Sequence, residues 1–296
     1  MRILLTGGTG FIGAALARVL AERGHQVARV SRDRRAGLTW DAIDGEVGRA
    51  EAIVHLAGEP IAGARFTATH LERVRESRVE TTERIARAIE RAAARPRVFV
   101  SASAAGYYGM RRDDAVLDEA APPGDDPVAQ ICVAWEQAAD PARAAGVRVV
   151  HPRFGTVLGR GGGALAKLEP AFRWFVGGPL GDGRQWVSWI HLADAVRAVL
   201  FAIDRESVSG PMNVVAPEPV RMNDLAAALG RAMRRPSRLR APALALRVAL
   251  GEGFARLLLT GQRATPARLL AEGFDFRFAR LDLALADLYA RAGTGS

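Results

Sequence analysis

Residues 6–13 read Thr6-Gly7-Gly8-Thr9-Gly10-Phe11-Ile12-Gly13. They follow a short apolar run, Ile3 to Thr6, with the character of a strand. They open a segment, Phe11 to Glu22, whose apolar residues recur at helical spacing. A turn this tight between strand and helix needs residues without a Cβ. The first glycines let the backbone approach a pyrophosphate, and the last lets helix and strand pack closely. The amino terminus of the helix then offers unpaired N–H groups and a partial positive charge to the phosphates. A purely structural glycine turn is the alternative, and the strand-before, helix-after context argues against it.

Working outward, strand and helix alternate. Strands are expected at Gln26 to Val30, Ala52 to Leu56, Val98 to Ser101 and Val147 to Val150. Helices are expected from about Thr67 to Ala93 and from about Pro127 to Ala145, and Gly24 reads as the cap that ends the first helix. Such alternation implies an α/β fold of the Rossmann type, a doubly wound parallel sheet covered on both faces. After Pro152 the pattern changes. Glycine-rich loops at 161–163 and 177–183 lead to a helix at 192–203, a strand at 212–215 and a helix at 223–233. Helical pieces follow from Pro242. The expected organisation is a dinucleotide-binding domain over residues 1–155, rejoined by about 185–215, with 156–296 forming mainly a smaller C-terminal substrate lobe.

The end of the second strand reads Val30-Ser31-Arg32, with no acid to accept the adenine ribose hydroxyls. Ser31 can donate to a phosphate oxygen, and Arg32 can form a charge-assisted contact worth roughly 1.5–3 kcal/mol. This favours NADP(H) over NAD, with a solvated surface role for Arg32 as the alternative.

Composition narrows the partners. Hydrophobic residues make up 49% and charged residues 25%, enough apolar material for a core. No apolar run is long enough to span a bilayer, and the first residues lack the pattern of a signal peptide. Cys132 is the single cysteine, which excludes an internal disulfide framework. The expectation is a cytoplasmic protein with a small-molecule substrate, no nucleic-acid or membrane partner and scope for a homodimer. The net charge of +9 is almost all arginine, Lys167 being the only lysine, and is interleaved with 32 acids. Its densest stretch, Arg231 to Arg240, has no interleaved aromatic for base stacking.

These features resemble the extended short-chain dehydrogenases/reductases, and in particular their atypical "epimerase family" branch. The resemblance rests on the glycine turn, on His55-Leu56-Ala57-Gly58 and Ser77-Arg78-Val79, and on Ser101 to Gly109. It extends through Cys132 to Glu136, Val157-Leu158-Gly159, Gly177 to Gly181 and Gln185 to His191. The segments 215–220 and 261–263 resemble the branch's C-terminal domain of unknown function. The resemblance implies a cofactor site made of Gly7, Thr9, Gly10, Phe11, Ile12, Gly13, Ser31, Arg32, Leu56, Ala57, Gly58, Arg78 and Val157. In it Arg78 reaches a cofactor phosphate and the Val157 backbone meets the nicotinamide end.

The usual chemistry of that superfamily employs a serine and a Tyr-x-x-x-Lys pair whose members share one helix face. This chain departs there, with Cys132 and Glu136 at the two positions. A neighbouring carboxylate raises a thiol pKa, so Cys132 reads as a buried helix cysteine rather than an acid/base. Glu136 reads as a supporting group, with acid/base use as the alternative. Ser103 holds the expected serine position, and Tyr107 or Tyr108 could supply a phenol, loop packing being the other reading. Gln185, Trp186, Trp189 and His191 are candidates for a substrate wall. The tryptophan spacing fits core packing equally well, and His191 fits a structural turn.

Overall fold

Ile3 and Leu5 of the first strand point to one face of a sheet and Leu4 to the other, and all three are fully buried. That alternation builds two apolar layers, as a sheet covered on both faces requires. The computed structural model describes residues 1–31, 35, 37–61 and 66–290. In chain order the first elements are β1 (Arg2–Thr6), α1 (Phe11–Glu22), β2 (Gln26–Val30), α2 (Ile43–Val47), β3 (Ala52–His55), α3 (Ala68–Arg91) and β4 (Val98–Ser101). Then come β5 (Ser103–Ala104), β6 (Val116–Leu117), α4 (Pro127–Gln137), α5 (Asp140–Ala144), β7 (Arg148–Phe154), β8 (Thr156–Leu158) and α6 (Leu165–Arg173). β9 (Trp186–Val187), β10 (Trp189–His191), α7 (Leu192–Asp204), β11 (Gly210–Val214), β12 (Val220–Arg221) and α8 (Met222–Met233) follow. The tail holds α9 (Ala243–Leu250), α10 (Glu252–Leu259), β13 (Arg263–Ala264), α11 (Ala267–Ala271) and α12 (Leu281–Tyr289).

The main sheet runs β2-β1-β3-β4-β7-β11, with β5 also paired to β7, and every pair is parallel. One face carries α1 and α7 through Leu16, Leu20, Val199 and Ile203. The other carries α2, α3 and α5 through Val47, Ile85, Ile89 and Ala142. Burying each such leucine, isoleucine or valine stabilises by roughly 1.5–3 kcal/mol. This is the doubly wound Rossmann-type α/β architecture. A separate cluster joins α6, α8 and α12 through Phe172, Leu229 and Leu285, making the second lobe. The chain leaves β1 for β2 on one side and later returns to β3 on the other. That reversal opens a crevice beyond the carboxyl ends of the strands.

Three local expectations are corrected. The helix expected over 127–145 is two helices, because Pro141 has no N–H to continue the ladder and its ring opposes the carbonyl four residues back. The strand expected at 147–150 runs on to Phe154, through Pro152. Pairing with β4 covers 148–150 and pairing with β5 covers 153–154, so Pro152 falls in the gap where no N–H is needed. Between the two glycine-rich loops lies α6, a helix beyond those expected from the sequence. Gly24, at φ 75°, follows the last turn of α1, and its N–H donates to the Ala21 carbonyl at 2.9 Å.

Candidate functional site

The turn from β1 into α1 sits at the mouth of the crevice. Gly7 has φ 71°, and a Cβ there would lie 2.6 Å from the Leu56 carbonyl carbon. A Cβ on Gly13 would lie 2.1 Å from the Gly7 carbonyl oxygen. Both positions therefore exclude any side chain. The first hydrogen bond of α1 runs from the Ala14 N–H to the Gly10 carbonyl at 2.8 Å. The N–H groups of Phe11, Ile12 and Gly13 precede that bond, with no side-chain cap and no acid in the first turn. Thr9 and Gly10 are exposed beside them. An open helix terminus on a glycine turn is the donor set that a diphosphate needs, so these residues fit a dinucleotide.

Leu56, Ala57 and Gly58 lie across from the turn at the end of β3. The Leu56 N–H donates to the Thr6 carbonyl at 3.2 Å. Arg78 packs against Gly58, its guanidinium carbon 3.2 Å from where a Cβ would stand. Its Nη1 donates to the carbonyls of Glu59 at 2.8 Å and Val74 at 3.0 Å. Burial lowers the Arg78 pKa, against the opposing influence of Cys132 and Glu59. Ser31 closes β2, its N–H donating to the Leu38 carbonyl at 2.8 Å. Arg32 lies outside the described residues. Val157 is buried in β8 opposite Ile190. The segment 159–163 lies on the Phe11 ring, where a Cβ at Gly159, Gly162 or Gly163 would come within 2.8, 2.4 and 2.8 Å of its atoms.

Beneath the turn, His55 ties three elements together. Its Nδ1 is 2.5 Å from the Thr6 hydroxyl and its Nε2 is 3.1 Å from the Thr81 hydroxyl. Thr81 already donates to the Ser77 carbonyl at 2.6 Å, so it accepts from His55, and Thr6 donates to Nδ1. Full burial, with the Arg78 charge, pushes the His55 pKa down to about 3, so the ring is neutral.

The carboxyl ends of β4 and β7 hold a second cluster. The Ser103 hydroxyl donates to Glu136 Oε1 at 2.6 Å. Arg153 grips the same carboxylate through Nε and Nη2, both at 2.8 Å. Burial alone would lower the Arg153 pKa, but the hydrogen bonds and charge of Glu136 outweigh it and move it up. Arg153 also covers the Tyr107 ring at 3.4 Å and donates to the Tyr108 hydroxyl at 3.1 Å. That hydroxyl donates in turn to Asn213 Oδ1 at 2.6 Å. Tyr108 is fully buried, and burial pushes its phenol up to about 12. Cys132 is buried under Gly106, and burial, reinforced by the Glu136 charge, pushes its thiol up to about 12.

The description "NAD dependent epimerase/dehydratase family" fits residues 3–215 of this chain, and a "domain of unknown function (DUF1731)" fits residues 241–288. The chain belongs to the NAD dependent epimerase/dehydratase family. The epimerase family protein ML0860 of Mycobacterium leprae is 40% identical over 96% of this chain and 94% of its own length. The crystal structure of the human epimerase family protein SDR39U1 (isoform2), solved with NADPH, superposes with a TM-score of 0.92. It shares 36% identity over 98% of this chain and 100% of that one. A nucleoside-diphosphate sugar epimerase from Corynebacterium glutamicum gives 0.80 at 33% identity, over 98% of this chain and 58% of that one.

The substrate-wall candidates of this epimerase-family chain do not share one surface. Trp189 is fully buried, its indole N–H donating to the Glu218 carbonyl at 2.9 Å. His191 caps α7, its Nδ1 accepting from the Ala193 N–H at 3.0 Å, and it stacks on Phe278. Gln185 is buried, with its amide donating to Leu180 and Leu258 carbonyls and its Oε1 unpartnered. Trp186 is partly exposed, between the guanidinium groups of Arg221 at 3.8 Å and Arg263 at 4.6 Å, with its indole on Asp114. For Trp189 and His191 these contacts fit the core-packing and structural-turn readings rather than a substrate wall. Sequence reasoning missed Arg153 and Asn213 altogether. Arg153 shares its strand with Arg148 and His151, so a basic residue there is not by itself a signal. Among the described residues, no helix is long and apolar enough to cross a membrane.

Proposed function

We propose that this chain is an NADP(H)-dependent oxidoreductase or epimerase-like enzyme acting on a small hydroxyl or carbonyl compound. The observation that carries the reading is the uncapped start of α1 over the Gly7–Gly13 turn. Support comes from the similar human protein solved with NADPH. The Phe11, Ile12 and Gly13 amides hold the diphosphate, and Ser31 and Arg32 receive the adenosine-side phosphate. Leu56, Ala57 and Gly58 line the path between, Arg78 reaches a cofactor phosphate, and Val157 flanks the nicotinamide end. Bound nicotinamide supplies or accepts hydride. Residues 1–155, rejoined by about 185–215, form the cofactor domain, and 156–296 mainly close over the substrate.

On the substrate side, Ser103 orients the reacting oxygen, and Glu136 and Arg153 hold Ser103 in place. Tyr107 is the phenol that remains partly accessible, so the acid/base proposal narrows from two tyrosines to Tyr107. Tyr108 is committed to Asn213. Titration of the purified protein should show saturable NADPH uptake, tighter than NADH. Arg32→Ala should weaken NADPH binding roughly tenfold or more and leave NADH nearly unchanged. Equal losses for both would place the phosphate elsewhere, and no uptake of either would end the proposal.

A second reading is a non-catalytic NADP(H)-binding sensor. It is favoured by one observation, the buried Cys132 thiol and the arginine-bound Glu136 at the positions of the usual acid/base pair. Single-turnover oxidation of NADPH with a panel of carbonyl compounds separates the two. Turnover supports the enzyme, and a loaded protein inert across the panel supports the sensor.

A further inference from the structure

We propose that residues 174–176, Leu239 and α9, with the arginines of 231–240, form a surface that docks on anionic phospholipid. From Leu225 to Gly251 the chain has six arginines and no aspartate or glutamate. The fold brings this basic stretch against an apolar tip at the end of α6. The Gly181 N–H donates to the Ala241 carbonyl at 2.9 Å, and the Ala241 N–H donates to the Pro179 carbonyl at 3.0 Å. Arg235 lies over the Phe175 ring at 4.6 Å. The tip is open to solvent, with Trp174 80% exposed and Phe175 and Val176 more than half exposed. α9 buries none of its residues, and on it Leu244 and Val248, one helical turn apart, are 70% and 80% exposed.

Two further observations mark this surface. Among the described residues, the non-glycine residues with positive φ are Phe175 at 63° and Arg234 at 55°, and both lie here. Side-chain-bearing residues rarely adopt that conformation. The charge is also unneutralised. Among the described residues, Arg231, Arg234, Arg235, Arg238 and Arg240 have no acid within ion-pair distance. The nearby Glu169 is engaged by Arg173 and Tyr289, and Glu252 by Arg247.

The chemistry selects the occupant. A second copy docking through the same face would bring the same arginines together and repel. A nucleic acid could stack on Trp174 and Phe175 but has no use for Leu239, Leu244 and Val248. A lipid surface satisfies both halves, with acyl chains receiving the aliphatic and aromatic groups and headgroup phosphates receiving the guanidinium groups. The expectation of no membrane partner rests on the lack of an apolar run long enough to span a bilayer, which does not bear on a surface that lies against one.

The test uses the full chain with vesicles of phosphatidylcholine alone and of phosphatidylcholine with phosphatidylglycerol. Sedimentation with the anionic vesicles only, a blue shift of tryptophan emission and release by salt are expected. Arg235→Glu combined with Arg238→Glu should lower the bound fraction roughly tenfold or more, from the per-residue attraction of basic groups to anionic surfaces. Trp174→Ser should remove most of the emission shift, and an unchanged melting curve establishes that each variant is folded. Three results would overturn the proposal. They are no preference for anionic vesicles, a single-stranded oligonucleotide that binds and strips the protein from them, or a dimer that itself shields Trp174.

Discussion

Glu136 on α4 and Arg153 on β7 form a buried, two-pronged ion pair, with both N–O distances 2.8 Å. The acid stands on a helix, and the positive charge that meets it arrives from a strand of the sheet. Ser103 is the third member, since its hydroxyl donates to the same carboxylate. Removing one partner leaves the other charged and buried, which costs about 3–5 kcal/mol. Arg153→Met and Glu136→Gln should each lower the urea midpoint strongly. The double variant should be more stable than the sum of the single losses predicts. Additive losses would show that the two side chains act independently.

The glycine turn separates folding from cofactor binding. Gly13→Ala forces a Cβ to 2.1 Å from the Gly7 carbonyl, whereas at Gly10 the nearest atom is 3.2 Å away and φ is −76°. Gly13→Ala should therefore lose thermal stability and NADPH binding together. Gly10→Ala should melt near the parent temperature yet bind NADPH more weakly, because its methyl stands beside the open helix terminus. Parent-like NADPH affinity in Gly10→Ala would move the diphosphate away from this turn.

The two adjacent tyrosines should behave differently. Tyr108→Phe strands the Asn213 acceptor in the core and should cost about 1–3 kcal/mol in denaturant unfolding. Tyr107→Phe should leave stability nearly unchanged and slow single-turnover hydride transfer. A Tyr107→Phe protein with full turnover would remove that phenol from the chemistry.

Two buried histidines set an acid limit. Burial, with Arg78, takes His55 down to about 3, and burial takes His151 down to about 4 despite the opposing charge of Glu136. Unfolded histidine titrates near 6.5, so below that pH the unfolded chain binds protons that the folded chain refuses. Their contribution is full above about pH 6.5 and is lost as pH falls toward those lowered values, at about 1.4 kcal/mol per unit for each. Urea midpoints at about pH 7.5 and about pH 5 should fall with acidification. His55→Gln should flatten the dependence, and an unchanged slope would mean that His55 is already charged in the folded protein.

Local chemistry was enough to read the parallel sheet, the glycine turn and the helix that follows it. Each depends on neighbours a few residues apart: an apolar period of two, an apolar period near 3.6, and glycines where a side chain cannot fit. Where a local signal was overlooked, as at Pro141, the error was one of element length. The cluster of Ser103, Glu136, Arg153, Tyr108 and Asn213 is different in kind. Its members come from four separate stretches, and no spacing announces that a strand arginine will neutralise a helix glutamate. For Trp189 and His191 the sequence left a cleft wall and a packed or capping role both open, because composition cannot tell a wall from a core. Their placement was decided by which faces of the second lobe pack together, since burial and pairing belong to contacts between segments and not to any one segment.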